Sequence, residues 1–280
     1  MSKWLISAFA DEHSTSLEGQ INALLATGLE YIEPRFIDEK NVADMTASEV
    51  KALKNALDSA GIKVSAIGSP LGKINLADDF SAHLEKAKRV FECANILDTK
   101  SIRVFSFYLH ENKTREECRG EVLEKFGAML EEAKAFNVTL CHENEAKIYG
   151  ESPEYCLDLL KHFGGEARCV FDMGNFVLDG NKPMEAYELL KEYIEYFHIK
   201  DALFEGAIVP AGCGEARIGD ILRKYREEYD RDVLISIEPH LQTFSGLNAL
   251  VGKSFDNPYK FETKEIAFVT AVQKTKELLP

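Results

Sequence analysis

Short apolar runs alternate with longer amphipathic stretches along almost the whole chain. Eight runs have the length and residue types of buried strands, and they begin at Trp4, Tyr31, Ile62, Ile102, Val138, Arg168, Tyr196 and Val233. Between successive runs, apolar residues recur at steps of three and four, as in LEGQINALLATG and EVKALKNALDSAG. That spacing is the period of a helix with one buried face. The pattern therefore predicts eight strands that alternate with helices.

Residues typical of helix ends support the same division. The pairs Thr15–Glu18, Thr46–Glu49 and Thr114–Glu117 each have the spacing of a capping box. Gly28 and Gly61 follow the first two helical stretches, where a left-handed residue commonly ends a helix. These positions predict where three helices begin and where two end.

Alternating strands and helices imply parallel strands joined by helical crossovers. The simplest arrangement is of the α/β class, a single (β/α)8 TIM barrel, and an open doubly wound sheet is the alternative. No linker rich in proline or glycine divides the chain. We therefore expect residues 1–280 to form a single TIM-barrel domain.

Composition narrows the range of partners. The formal net charge of −14 and the pI near 5.1 disfavour nucleic acid and anionic membranes, because long-range repulsion opposes the encounter. No stretch has the length of a signal or membrane-spanning segment, and the six cysteines are dispersed without a C-x-x-C pair. These features predict a cytoplasmic protein, and they are compatible with a homo-oligomer.

Ionisable side chains lie at the ends of four successive predicted strands. Glu143, Asp172, His198 and Glu238 come from strands five to eight, and the carboxyl ends of barrel strands form the active face. Three carboxylates and one imidazole form a hard, oxygen-rich donor set. The sequence predicts that they hold one divalent ion, with Mn²⁺ as the first choice and Mg²⁺, Co²⁺ and Zn²⁺ also compatible.

Other polar residues at this face are candidates for contacting a substrate. They are Arg35, Ser69, Ser106, Asn144, Glu145, Asn175 and Lys200. Arg103 lies early in its strand, so we expect it to point away from this face or to form a salt bridge. His142 neighbours Glu143 and should face the opposite side of the strand.

Two glycine-containing strings resemble anion sites. PAGCGEAR, from Pro210, follows the seventh strand, where barrels often bind phosphate. Its amides, with Arg217 and Lys253, could hold a sugar phosphate, and a plain turn is the favoured alternative. VGKSF, from Val251, lacks the first glycine and the preceding strand of a P-loop.

The strings CHENE, VFDMGN, HIKD and SIEPH, in this order, carry a resemblance to a known superfamily. They resemble the xylose-isomerase-like barrels, which include ketose 3-epimerases, hydroxypyruvate isomerases, inosose dehydratases and the endonuclease IV group. The resemblance spans nearly the whole chain and is most specific in strands five to eight. It implies that the four residues named above bind the metal and that Glu143 and Glu238 are catalytic acid–base groups. The implied activity is isomerisation or epimerisation of a small sugar, sugar acid or sugar phosphate by proton transfer through a metal-stabilised enediolate.

The chain departs from the epimerase pattern at three positions. Asn175 and Phe204 stand where ketose epimerases carry a histidine and an arginine that contact substrate, and Tyr149 stands where they carry a glutamate. Lost hydrogen bonds to sugar hydroxyls lower catalytic efficiency. We therefore expect poor activity on free ketohexoses and better activity on a sugar phosphate or an aldonate-type acid.

Three other functions fit the same fold. A dehydratase or lyase acting on a polyol ketone would use the same first proton transfer and then expel a β-hydroxyl as water. An abasic-site endonuclease would need three zinc ions and histidines after strands three and four, where this chain has Ser69 and Ser106. A non-catalytic sugar-binding barrel would hold no metal.

Overall fold

Eight parallel strands form the centre of the molecule. The structure, a computed structural model, describes residues 2–241 and 259–280. The strands are β1 (Trp4–Ala8), β2 (Tyr31–Ile32), β3 (Lys63–Val64 and Ala66–Ile67), β4 (Ser101–Val104), β5 (Thr139–Glu143), β6 (Arg168–Asp172), β7 (Ile194–Ile199) and β8 (Val233–Ile237).

The strands close into a barrel. Seven of them form one sheet in the order β1-β8-β7-β6-β5-β4-β3, and β2 pairs with the first part of β3. The Glu33 amide, just after β2, donates to the Ala8 carbonyl of β1 at 3.1 Å and joins the remaining edges. Pairing of β1 with β8 excludes an open doubly wound sheet. The predicted (β/α)8 barrel is confirmed.

One irregularity interrupts the pairing of β7 with β6. Ile194 lies opposite Cys169 and Tyr196 opposite Val170, so β7 has one more residue than β6 at this point. After this bulge the register is regular again, and His198 lies opposite Asp172. A bulge of one residue changes which side chains of a strand face the barrel interior.

Helices surround the barrel on its outer side. They are α1 (Leu17–Thr27), α2 (Ala47–Ser59), α3 (Phe80–Ile96), α4 (Arg115–Phe136), α5 (Pro153–His162), α6 (Met173–Leu178), α7 (Pro183–Leu190), α8 (Ile218–Glu228) and α9 (Lys264–Leu278). None of those within residues 2–241 and 259–280 has the length and apolar character that a bilayer crossing requires.

The predicted helix ends are confirmed in part. Thr46 and Thr114 form complete capping boxes, and Gly28 ends α1 in the left-handed conformation. The capping box predicted at Thr15 is wrong, because Ser16 is the N-cap and its side chain accepts from the Gly19 amide. Adjacent hydroxyl residues compete for this position, and the choice of Ser16 places glycine, not glutamate, at the third helical position.

The barrel interior is apolar at one end and charged at the other. A small cluster of Ala66, Cys141, Val170 and Tyr196 fills the lower interior. The larger apolar core lies between the strands and the helices. Packing thus fixes the strands on both faces below the charged end, where their carboxyl termini meet.

We predict that protonation of His83 contributes to loss of stability in acid. His83 on α3 accepts a hydrogen bond from the Gly72 amide at 2.9 Å, and burial, with the charge of Lys86, lowers its pKa to about 4. An unfolded histidine titrates near pH 6.5, so the unfolded chain binds the additional proton between pH 6.5 and 4. As the pH is lowered from 6.5 to 4, the free energy of unfolding should therefore decrease, by up to about 1.4 kcal/mol per pH unit for this group.

Urea unfolding between pH 7.5 and 4 tests this contribution in the wild type and in His83→Gln. Glutamine keeps an acceptor for the Gly72 amide but does not titrate. The variant should lose less stability on acidification than the wild type. Equal pH dependence in the two proteins would show that His83 does not contribute.

Candidate active site

Four ionisable side chains converge at the carboxyl end of the barrel. Glu143, Asp172 and His198 come from β5, β6 and β7, and Glu238 directly follows β8. One ligand atom from each residue lies within 4.8 Å of the others, and all four side chains are buried. They share the inner face because paired residues of parallel strands point to the same side. We call these residues the four-residue cluster.

The imidazole of His198 is held on both sides by carboxylates. Its Nδ1 lies 2.8 Å from Glu143 Oε1, and its Nε2 lies 3.3 Å from Glu33 Oε2. The hydroxyl of Tyr196 donates to Glu33 Oε1 at 3.0 Å. The Phe9 ring packs edge-on against the imidazole. These contacts direct Nδ1 towards the four-residue cluster.

Lys200 is placed between two carboxylates of the cluster. Its Nζ lies 2.9 Å from Asp172 Oδ2 and 3.1 Å from Glu238 Oε2, and it donates to Asn175 Oδ1 at 3.0 Å. All three of its donor protons therefore have a partner. The prediction that Lys200 lies at the site is consistent with this placement.

Arg35, just after β2, and Arg103, on β4, approach the same carboxylate. Arg35 Nη1 lies 2.8 Å from Glu238 Oε1, and its Nε lies 2.8 Å from Asp11 Oδ2. Arg103 Nη1 lies 3.3 Å from Glu143 Oε2 and 3.5 Å from Glu238 Oε1. The alternative that Arg103 points away from this face is wrong, and the salt-bridge alternative is confirmed.

The alternation of inward and outward side chains along β4 and β5 would have predicted that Arg103 points into the barrel. It pairs in register with Cys141, whose side chain lies in the barrel interior two residues before Glu143. Residues on the same face of paired strands point to the same side. Arg103 is the third of the four residues of β4, and the length of its side chain takes the guanidinium to the cluster.

The carboxylates of the cluster differ in their affinity for protons. Burial favours the neutral form of Glu143, but the charges of His198 and Arg103 outweigh this effect and lower its pKa to about 2. At Asp172 the effect of burial exceeds that of Lys200 and raises the pKa to about 6. The environment therefore keeps Glu143 ionised at neutral pH while Asp172 gains a proton more readily.

Asn144 and Asn175 connect the ends of β5 and β6. Asn144 Nδ2 donates to the Asp172 carbonyl and its Oδ1 accepts from the Asp172 amide, both at 3.0 Å. Asn175 Nδ2 donates to the Asn144 carbonyl at 2.9 Å, and the Asn175 amide donates to Asp172 Oδ1 at 2.8 Å. These amides fix the position of Asp172, and their proposed substrate contacts stay a prediction.

The two candidate serines contact other parts of the protein. Ser69 Oγ donates to the Arg103 carbonyl. Ser106 Oγ lies 2.9 Å from His142 Nε2 and accepts from the Gly150 amide at 2.8 Å. The structure thus does not bring either hydroxyl into contact with the cluster. His142 lies against the Phe126 ring of α4, which confirms that it faces away from the interior.

Glu145 lies at the rim of the site. It forms an ion pair with Lys73 at 2.8 Å, and both side chains are partly exposed. The Lys73 ammonium also lies over the Phe105 ring. This pair marks the outer boundary of the candidate site, and a substrate contact by Glu145 stays a prediction.

A second group of ligating side chains shares Glu238. It consists of Glu12, Glu238 and His240. The His240 amide donates to Glu12 Oε2 at 2.8 Å, and Arg35 Nη2 lies 3.5 Å from Glu12 Oε1. A guanidinium charge thus already lies beside these carboxylates. Sequence reasoning missed Glu12 and His240, since both lie beyond strand ends, in a short 3-10 helix and in a loop whose positions the strand pattern does not define.

The glycine-rich loop after β7 encloses a carboxylate of its own. Asp201 accepts hydrogen bonds from the amides of Ala202, Gly212, Gly214 and Ala216 at 2.8 to 3.0 Å. A Cβ at Gly214 would lie 2.3 Å from Asp201 Oδ1. The amides proposed for an external phosphate already bind this side chain, so the plain turn is the better interpretation.

Charged residues proposed near this loop do not complete an anion site. Arg217 is largely exposed and pairs with Asp220 at 2.6 Å. Lys253 and the string VGKSF lie outside the described residues. The described part of the chain therefore gives no support to a phosphate site at the loop.

Two of the three residues that depart from the epimerase pattern, Phe204 and Tyr149, lie away from the cluster, whereas Asn175 contacts Asp172 and Lys200. Phe204 is 46% exposed, on the turn between the short strands Asp201–Ala202 and Ile208–Val209. The Tyr149 hydroxyl donates to Asp158 Oδ2 at 2.7 Å, outside the barrel. Arg35 and Arg103 supply guanidinium groups at the cluster, so phenylalanine at position 204 does not leave the site without arginine.

Comparison with known proteins identifies relatives of this fold. The family model described as xylose isomerase-like TIM barrel matches residues 21–254. No curated protein matches the chain. Several solved structures do match, at identities that show the fold alone.

Three of these structures illustrate the range. The probable 3-DHS dehydratase AsbF from Bacillus anthracis has a TM-score of 0.73 and 17% identity over 99% of both chains. The IolI protein with a bound zinc atom has a TM-score of 0.76 and 17% identity over 98% of this chain and 97% of that chain. D-Psicose 3-epimerase from Clostridium cellulolyticum H10, determined with D-tagatose, has a TM-score of 0.71 and 15% identity over 98% of this chain and 99% of that chain.

We predict that Asp201→Asn destabilises the protein. Asparagine offers one acceptor oxygen and directs two donor protons towards backbone amides that are themselves donors. A buried donor left without a partner costs about 1–3 kcal/mol, so the free energy of unfolding should fall by about 2–4 kcal/mol. Urea unfolding measures the change. Asp220→Asn, on an exposed carboxylate, is the control and should change stability by no more than about 0.5 kcal/mol. Equal effects of the two substitutions would contradict the role of Asp201.

Proposed function

The chain belongs to the family of xylose isomerase-like TIM barrels, and from that premise we propose that it is a divalent-metal-dependent isomerase or epimerase. Its substrate in this proposal is a small sugar, sugar acid or sugar phosphate. The observation that carries the proposal is the convergence of Glu143, Asp172, His198 and Glu238, with ligand atoms within 4.8 Å of one another. Solved epimerases with the same fold support it.

The donor set of the cluster fits a divalent ion. Three carboxylates and one imidazole suit Mn²⁺ or Mg²⁺, and Co²⁺ and Zn²⁺ are compatible. Glu33 binds His198 Nε2 and leaves Nδ1 facing the carboxylates, which is the usual arrangement of a metal-ligating histidine and its carboxylate partner. A bound ion would polarise the carbonyl and neighbouring hydroxyl of a sugar and so acidify the adjacent C–H group.

Glu143 and Glu238 are the proposed acid–base groups. They come from strands separated by β6 and β7, yet both lie near His198 Nδ1, at 2.8 and 3.4 Å. Burial alone would raise the pKa of Glu238, but nearby positive groups, above all Lys200, hold that pKa well below its usual range. An ionised carboxylate can remove a proton from the substrate, and the same or the other one can return it. Return to the opposite face gives an epimer, and return to the neighbouring carbon gives an isomer.

A dehydratase is the second candidate. The likeness to the probable 3-DHS dehydratase AsbF favours it, because proton removal beside a carbonyl can be followed by loss of a β-hydroxyl. Release of water from a polyhydroxy ketone would distinguish it from epimerisation. An abasic-site endonuclease is disfavoured, since Ser69 and Ser106 occupy the positions where that group places further ligands and both hydroxyls bind other protein groups.

Several further expectations stay predictions. These are a cytoplasmic location, a single domain, the absence of nucleic-acid and membrane partners, and the oligomeric state. A small carbohydrate is the partner that the fold relatives favour. Non-catalytic sugar binding would be the better reading if the purified protein bound no metal under any condition.

We predict that the protein binds about one divalent ion per chain, since the cluster offers one four-ligand site. Elemental analysis after incubation with Mn²⁺ and dialysis measures the stoichiometry. Asp172→Asn removes one ligand charge and should lower the Mn²⁺ affinity by at least about tenfold, a range typical even of losing a supporting carboxylate. Glu195→Gln, at the opposite end of β7, is the control. Three zinc ions per chain would overturn the assignment and favour a nuclease.

We also predict that Glu238→Gln folds but loses turnover by about 10²- to 10⁴-fold, because it removes both a ligand charge and a proton carrier. Incorporation of deuterium from D₂O into a panel of ketoses and sugar acids, followed by NMR, measures proton transfer without knowledge of the product. Glu195→Gln should retain wild-type rates. Near-wild-type exchange in Glu238→Gln on the substrate that the panel identifies would remove Glu238 from the mechanism.

A further inference from the structure

The guanidinium of Arg103 lies in a fixed plane at the candidate site. Its Cζ is 5.1 Å from the centre of the Phe9 ring and 5.0 Å from the centre of the Phe105 ring. The Arg103 side chain is only 6% exposed. Two aromatic rings in contact with a guanidinium restrict its orientation and favour its charge. Arg103 is thus a buried, oriented cation beside the proposed acid–base groups.

The hydrogen-bonding capacity of this cation is largely unused by the described residues. Its contacts to Glu143 and Glu238 are ion pairs at 3.3 and 3.5 Å. Among residues 2–241 and 259–280, its buried Nε has no hydrogen-bond partner. A buried charge is normally both paired and hydrogen-bonded, because leaving such a donor unmade is costly. Arg103 therefore has donors available to a ligand in this site.

Arg35 and Lys200, which also lie at the cluster, are bound more completely. Arg35 holds Asp11 through two nitrogens and Glu238 through a third. Lys200 has three partners, one for each of its protons. Of Arg35, Arg103 and Lys200, therefore, Arg103 is the one that has a buried N–H donor without a partner among the described residues.

A planar guanidinium selects among the three substrate classes of the proposed function. Its parallel N–H groups match the two oxygens of a carboxylate, and a charged donor of this kind discriminates against a hydroxyl in the same place. A phosphate is less favoured, since the loop after β7 that could have bound one uses its amides for Asp201. The chemistry of Arg103 therefore favours an anionic sugar acid.

We propose that the substrate is a sugar acid whose carboxylate pairs with Arg103, which lies over the Phe9 and Phe105 rings beside Glu143 and Glu238. The proposal rests on the proposed function, which supplies the sugar. It assigns Arg103 as a residue that contacts substrate and determines specificity. The carboxylate would provide the acceptor that the Nε donor lacks.

Binding to matched acids and alcohols tests the proposal without an activity assay. Isothermal titration calorimetry on Mn²⁺-loaded protein compares D-erythronate with erythritol, D-arabinonate with D-arabinitol, and D-gluconate with D-sorbitol. Each pair differs in a carboxylate against a hydroxymethyl group. At least one acid should bind ten or more times tighter than its alcohol. No preference in any pair, or tighter binding of D-sorbitol 6-phosphate than of the acids, would overturn the proposal.

Variants of Arg103 separate its role from that of the metal. Arg103→Gln should reduce the preference for the acid to threefold or less while changing the affinity for the alcohol by less than threefold. Arg103→Lys keeps the charge without the planar donors and should retain part of the preference. Arg119→Gln, on the outer surface of α4 where Arg119 pairs with Asp158, is the control and should retain all of it. A preference that persists in both Arg103 variants would show that the metal binds the carboxylate.

Direct titration of Mn²⁺ distinguishes failure of this proposal from failure of the proposed function. A wild-type protein that binds Mn²⁺ and alcohols without preferring acids would disprove the role of Arg103 and leave the metal enzyme standing. A protein that binds no Mn²⁺ would disprove the metal enzyme. In that case the comparison of acids with alcohols on the metal-free protein still shows whether Arg103 binds a carboxylate.

Discussion

The convergence of positive groups on the buried carboxylate of Glu238 is the interaction on which the charged end of the barrel depends. Arg35 and Lys200 lie 2.8 and 3.1 Å from its oxygens, and His198 and Arg103 lie 3.4 and 3.5 Å away. Removing a carboxylate from water costs several kcal/mol, and only close opposite charges and hydrogen bonds offset that cost. Without these cations, the neighbouring carboxylates would repel one another and take up protons. The cluster can therefore exist in a dry interior only as a whole.

The same residues connect the chemistry to the barrel itself. The Glu33 amide closes the gap between β1 and β2, while its carboxylate holds His198. Asn144 bonds both the amide and the carbonyl of Asp172 and so aligns the ends of β5 and β6. A site supported in this way is rigid, because moving a ligand would also break backbone hydrogen bonds. Such preorganisation is what proton transfer in a buried site requires.

Periodicity in the sequence was sufficient for the barrel and for the residues at its strand ends. A strand has only two faces, so the ends of β5 to β8 could be assigned to the interior without knowledge of the loops. Ser106 and Asp201 show the limit of that reasoning. Each lies just beyond a strand, and its partners, the Gly150 amide and the amides of Gly212 to Ala216, come from distant positions in the chain. Hydrogen bonds of this kind depend on the path of the loops, which a pattern of apolar residues does not encode.

The additional residue in β7 determines which of the later side chains of that strand face the barrel interior. Because Ile194 and Tyr196 lie opposite the adjacent residues Cys169 and Val170, the bulge inverts the inward and outward alternation of the rest of the strand. Tyr196 and His198 consequently face inward, whereas Phe197 packs outward against Phe171 and Tyr225. In a regular ladder without the bulge, the same residues would turn the His198 imidazole outward and the Phe197 ring inward, whereas loss of the one extra residue would leave His198 opposite Asp172. The strand therefore keeps its ligand only because the bulge absorbs the extra residue before His198, and a bulge placed after His198 would remove the imidazole from the site.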